Sequence, residues 1–156
     1  MFSKDFKELL SAFHSHRVKY LIVGGYAVAV HAQPRATKDL DLFVQQDPEN
    51  AKAVYAALTK FGAPLADLRP EDLIDPGSFF RMGFPPNMIE ILPRISGVDF
   101  DQAWSRRIEV IIDADTGLTA SFISLDDMIA NKLSAGRPQD IADAAAIRDA
   151  HKAGEQ

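Results

Sequence analysis

Tyr20–Val44, YLIVGGYAVAVHAQPRATKDLDLFV, decides how this chain is read. It opens with the apolar run Leu21-Ile22-Val23, turns at Gly24-Gly25 and continues through small residues. It then enters a second apolar run that carries Asp39 and Asp41. Alternate residues of a strand face the same way, so Asp39 and Asp41 share one face. Leu40, Leu42 and Val44 take the other face, toward a core. Side-by-side carboxylates repel unless a cation lies between them, and a hard divalent ion such as Mg2+ takes oxygen ligands of this kind. Glycines at a helix start allow close backbone approach, at the end of a helix where anions bind. Acids able to hold metal, next to a phosphate cradle, point to nucleotide chemistry.

Elements follow on both sides. Upstream, Phe6, Leu9, Leu10 and Phe13 recur at helical spacing and predict an amphipathic helix over Ser3–Arg17. The quoted stretch itself predicts a strand Lys19–Val23, a helix Gly24–Gln33 stopped by Pro34, and a strand Asp39–Gln45. Asp47-Pro48 reads as N-cap and first turn of a helix running to about Lys60, closed by Gly62. Ala63–Pro76 reads as a surface connection with a turn of helix at Pro70–Leu73. Ser78–Met82 and Asn87–Leu92 read as strands joined by Gly83-Phe84-Pro85-Pro86. A short helix Phe100–Arg106, strands Arg107–Ile112 and Leu118–Ile123, and helices Leu125–Ala135 and Gln139–Ala150 complete the chain, with fraying of the last residues. The expected fold is α/β: a mixed twisted sheet, helices mainly on one face, and C-terminal helices.

The bulk properties narrow the function. At 156 residues the chain is expected to form one domain, 1–156. Hydrophobic residues make up 47% and charged residues 25%, enough for a real core. Net charge is −5, which argues against coating nucleic acid by bulk electrostatics but leaves room for one nucleotide or an RNA end. There is no cysteine, so disulfides, thiolate zinc sites and cysteine nucleophiles are excluded. A cytoplasmic location is expected. MFSKDFKELL carries charges through its apolar positions, unlike a signal peptide, and no apolar run approaches the roughly 20 residues that span a bilayer.

Three Asp-x-Asp pairs occur. Asp99/Asp101 precedes a short helix, where the dipole favours Asp near the N-terminus, and Asp113/Asp115 sits in a turn ending at Gly117. Asp39/Asp41 opens an apolar strand, where an unpaired desolvated carboxylate is costly. A structural reading pairs these acids with Arg35 or Lys38. Glu90 interrupts Met88-Ile89-Glu90-Ile91-Leu92, and alternation turns it away from the core. If its strand lies beside the Asp39 strand, three carboxylates converge, able to hold a pair of Mg2+ ions roughly 3.5–4 Å apart. The competing reading is an ion pair with Arg81. Gly24 and Gly25 either admit a triphosphate or only form a tight turn. Arg35, Thr37 and Lys38 neutralise phosphate or merely solvate a loop. Lys132 reaches a triphosphate or, with Asp140 and Asp143, lies on a solvated helix face. His31 reads as packed or capping. Walker, dinucleotide-binding and nucleophile-elbow patterns are absent.

The order of strand, Gly24-Gly25, helix, Arg35-x-Thr37-x-Asp39-Leu40-Asp41-Leu42 and a later isolated Glu90 resembles the minimal nucleotidyltransferases of the DNA polymerase β superfamily. The resemblance covers Tyr20–Leu92. Ser124–Lys132 and Arg137-Pro138-x-Asp140-Ile141-x-Asp143 resemble the tail of the AbiEii-like nucleotidyltransferase toxins of type IV toxin–antitoxin systems. Small antibiotic nucleotidyltransferases are similar too. The resemblance implies that Gly24 and Gly25 hold the triphosphate and that Asp39 and Asp41 hold metal. It places Glu90 where the family commonly has Asp, as third ligand and activator of the acceptor hydroxyl. Arg35, Thr37 and Lys132 are candidate nucleotide contacts, and the resemblance extends more weakly to Lys132, Asp140 and Asp143. The implied reaction moves a nucleoside monophosphate from an NTP to a hydroxyl of an RNA end, a protein or a small molecule, with Mg2+ as cofactor and a cognate toxin or antitoxin as partner. The chain is shorter than those toxins, which leaves the acceptor open. A nucleotide-binding partner protein without turnover and an antibiotic-modifying enzyme stand as alternatives.

Overall fold

Side chains that alternate between core and solvent along the central strands organise the molecule. The computed structural model describes residues 2–32, 39–84 and 87–155. In chain order its elements are α1 (Lys4–Ser15), β1 (Tyr20–Val23), α2 (Gly24–His31), β2 (Asp39–Val44), α3 (Pro48–Phe61) and a 3₁₀ turn (Pro70–Ile74). Next come β3 (Phe80–Met82), β4 (Met88–Leu92), α4 (Phe100–Ser105), β5 (Ile108–Asp113), β6 (Leu118–Phe122), α5 (Leu125–Ala135) and α6 (Pro138–Glu155).

The strands form one six-stranded sheet in the order β3-β4-β2-β1-β6-β5. β1 pairs β2 antiparallel, whereas β2–β4 and β1–β6 are parallel. β3 and β5 add antiparallel edges. This is the mixed α/β sheet that the sequence predicts.

Capping chemistry sets the helix ends. Ser3 accepts from the Phe6 amide, Asp47 from the Glu49 and Asn50 amides, and Ser124 from the Asp127 amide. Gly62 ends α3 at φ 95°, a left-handed position that suits a residue without Cβ. A few boundaries differ from the sequence expectation. The Ser78 amide bonds the Asp75 carbonyl in a turn, so β3 starts later, at Phe80. The Arg107 amide bonds the Trp104 carbonyl, so β5 starts at Ile108. α6 runs on to Glu155 because no breaker interrupts His151-Lys152-Ala153.

Phe6, Leu9, Leu10 and Phe13 of α1 are buried, and α1 packs on α3. Leu21, Ile22, Leu40, Leu42, Ile89 and Ile91 are at most 2% exposed. Each such side chain contributes about 1.5–3 kcal/mol on burial, and truncating one to alanine costs about 2–5 kcal/mol. Phe43 shares the opposite face with Asp39 and Asp41 and meets Phe100 of α4 edge-on at 5.1 Å. The Phe43 end of that face is thus covered by α4. Among the described residues no helix is long and apolar enough to cross a membrane.

Candidate active site

The sheet register assembles a row of side chains. Val23 of β1 lies opposite Asp41 of β2, Asp41 opposite Glu90 of β4, and Glu90 opposite Arg81 of β3. Directly opposed residues project from the same face of a sheet. Arg81, Glu90, Asp41 and Val23 therefore form one line across four strands, with Asp39 a step away on the same face. The three acids named from the sequence come from β2 and β4, and the parallel pairing brings them together.

Gly24 follows Val23 and begins α2 at φ 70°. A Cβ built there would collide with the Asp41 carboxylate, at Oδ2. Backbone conformation and space both call for glycine at this position. Gly25 follows in the first turn of α2.

Asp41 is the electrostatic centre. Its Oδ1 is buried and has no hydrogen-bond partner among the described residues. Burial, then the Glu90 charge and hydrogen bond, then the Asp39 charge push its carboxyl up to about 7. The Lys132 charge pulls the other way. Lys132, on α5, is only 12% exposed, and its Nζ lies 3.3 Å from Asp143 Oδ2 and 3.6 Å from Asp140 Oδ1. α6 supplies both acids, packing on α5 and touching α2, which carries the tail to the acid row. The Arg137 hydrogen bond holds Asp140 below the usual carboxylate range despite its burial, with the Arg137 and Lys132 charges adding to the effect. Lys132, Asp140 and Asp143 thus form a buried ion cluster rather than a solvated helix face.

Arg81 reaches two of the acids. Its Nε is 3.1 Å from Glu90 Oε1 and its Nη2 3.8 Å from Asp39 Oδ2. The pairing with Glu90 is the one weighed from the sequence; the reach to Asp39 is not legible there, because it depends on how β3 and β2 flank β4. Arg35, Thr37 and Lys38 lie outside the described residues.

Other candidates have local explanations. Asp99 caps α4 through the Gln102 amide, and Asp101 accepts from Gln45. Asp113 accepts from the Asp115 amide in its turn. His31 Nε2 lies 2.7 Å from the Ile123 carbonyl, a packed histidine.

As they stand, no group of three or more His, Cys, Asp or Glu side chains among the described residues is gathered to hold one metal ion. The donor set nevertheless suits a hard divalent cation. It offers carboxylate oxygens in one row, one of them buried without a partner among the described residues, and a cation would relieve the repulsion between the acids.

A family model described as nucleotidyltransferase of unknown function (DUF6036) matches residues 2–148. No curated protein matches the chain.

Proposed function

The chain belongs to that nucleotidyltransferase family, and from this premise we propose that it moves a nucleoside monophosphate from an NTP to a hydroxyl acceptor, releasing pyrophosphate. The observation that carries the reading is the row in which Glu90 opposes Asp41 while Gly24 presses against the Asp41 carboxylate.

Asp39, Asp41 and Glu90 would hold Mg2+. Bound there, Mg2+ would neutralise phosphate charge and lower the pKa of the acceptor hydroxyl. Gly24 and Gly25 would admit the triphosphate to the amides at the start of α2, where the helix dipole favours negative charge. Lys132, fixed by Asp140 and Asp143, would face the phosphates from the α5 side. Arg35 and Thr37 precede the acids in sequence and would add contacts to the nucleotide. Glu90, directly opposite Asp41 on β4, would orient the acceptor hydroxyl and take its proton. In phosphoryl-type transfer, positioning and charge neutralisation supply most of the rate. The acceptor hydroxyl would belong to an RNA end, a protein or a small molecule.

The test is incubation with each α-labelled NTP, Mg2+ and a cell lysate, followed by separation of labelled products. Label should move to one acceptor, with stoichiometric pyrophosphate release, and Asp41→Asn should stop it. Transfer that survives in a folded Asp41→Asn protein would overturn the reading.

A further inference from the structure

We infer that Arg81 is a built-in cation that occupies the acid row until a divalent ion and a nucleotide arrive together, so that the two ligands bind cooperatively. The inference rests on the metal-dependent transfer proposed above.

The register sets up the exchange. Arg81 is opposite Glu90, and Glu90 is opposite Asp41. The guanidinium spans two of the acids, at 3.1 Å from Glu90 Oε1 and 3.8 Å from Asp39 Oδ2. Asp41 is left with a buried oxygen that has no partner among the described residues. The row is thus half satisfied. The two more accessible acids share the chain's own cation, and the deepest one waits.

A divalent ion that draws on Glu90 or Asp39 must displace the guanidinium, because the cations compete for the same oxygens and repel each other. Displacement is sterically open. The Arg81 side chain is 51% exposed, on a three-residue edge strand, whereas Glu90 and Asp39 are 21% and 36% exposed. Metal alone leaves Arg81 with solvent only. Metal with a triphosphate gives the guanidinium a new anionic partner, and arginine suits phosphate geometry. The exposed ion pairs are individually weak, so the device sets a modest coupling rather than a lock. By linkage, nucleotide tightens metal by the same factor that metal tightens nucleotide.

A purely structural Arg81 would only tie β3 to β4, so the test must read binding. Mn2+ serves as probe, with free Mn2+ measured by electron paramagnetic resonance. It is titrated into the wild-type protein, Arg81→Gln, Arg81→Lys and Asp41→Asn, with and without non-hydrolysable NTP analogues and with correction for Mn2+ held by the analogue. Arg81→Gln should bind Mn2+ alone about five- to tenfold tighter than wild type, and the tightening of Mn2+ by nucleotide should shrink. Arg81→Lys, which keeps the charge without the fork, should fall between them. If Arg81→Gln binds Mn2+ with wild-type affinity while Asp41→Asn abolishes binding, the role given to Arg81 is wrong and the metal site stands. If Mn2+ binds neither protein, the metal site and the inference fall together.

Discussion

Gly24→Ala separates a site glycine from a turn glycine. Two penalties act at this position. The first is conformational: an L-residue at φ 70° costs about 1–2 kcal/mol. For a chain of this size that lowers Tm by roughly 3–6 °C. The second is steric, since the new Cβ meets the Asp41 carboxylate. Either Asp41 rotates or the start of α2 retreats, and both change the spacing between the helix amides and the acid row. A misplacement of about 1 Å at a reacting centre can lower the rate about a hundredfold. Gly62→Ala is the matched control. It also has positive φ, at 95°, but a Cβ there meets nothing within 4 Å. Gly62→Ala should therefore lose only the conformational part of the thermal stability in the metal-free state, and Gly24→Ala that part plus the steric cost. Only Gly24→Ala should lose Mn2+ affinity and single-turnover label transfer. Equal Tm losses with equal, near-wild-type Mn2+ binding in both proteins would show that Gly24 is merely a turn and would refute the argument.

Further outcomes follow from the electrostatics. Folded Asp41 keeps its proton up to about pH 7, whereas the ordinary value is 3.8, so the native state binds the extra proton between them. Stability of the metal-free protein should therefore fall as pH rises from about 4 to 7, and Asp41→Asn should flatten that slope in melts taken at stepped pH. An unchanged slope would count against the buried acid. Asp127 accepts a forked pair from Arg106, 2.8 and 3.1 Å, and a Ser124 hydroxyl at 2.9 Å. Burial alone would raise its carboxyl, but these bonds and the Arg106 charge hold it below 3.8. Asp127→Ala should cost about 2 kcal/mol at neutral pH, and the difference from wild type should shrink as pH falls below that value. Lys132→Met should cost about 3 kcal/mol by leaving buried acids short of a cation. Adding Asp143→Asn should recover part of the stability but none of the nucleotide affinity, measured by analogue titration.

Much of the fold is written locally. Strand alternation at Leu40, Leu42 and Val44, helical spacing at Phe6, Leu9, Leu10 and Phe13, and caps at Asp47 and Ser124 each need only a few neighbouring residues. The proximity of Glu90 to the aspartates is different in kind. Its sequence signal, one acid in an apolar strand, tells which face it takes but not which strand lies beside it. The parallel pairing of β2 with β4 decides that, with Asp41 directly opposite Glu90. The buried state of Lys132, Asp140 and Asp143 leaves a fainter trace in the sequence. Charged residues on a terminal helix ordinarily face water. Here α6 lies against both α5 and α2, so Asp140 and Asp143 turn inward onto a lysine from another helix. Burial of that cluster depends on helix packing, which the spacing of the acids alone does not encode.

Arg81 shows how one residue can support two readings without contradiction. Taken alone, its pair with Glu90 is an ordinary cross-strand ion pair on an edge strand, worth about 0.2–1 kcal/mol. That energy does not require the same cation to reach Asp39, nor an orphaned oxygen on Asp41 beside it. An acid cluster built only for stability would place a partner on its most buried member, where an unpaired group costs most. The observed order is reversed: the accessible acids pair with Arg81, whereas Oδ1 of the buried one has no partner among the described residues. Such an arrangement is destabilising unless something else occupies the inner position, and burial with the neighbouring Glu90 and Asp39 charges pushes the Asp41 carboxyl up to about 7. A divalent cation that displaces the guanidinium and reaches Asp41 removes that destabilisation, which is why metal loading should raise Tm most above pH 7, where Asp41 is ionised, and least near pH 5.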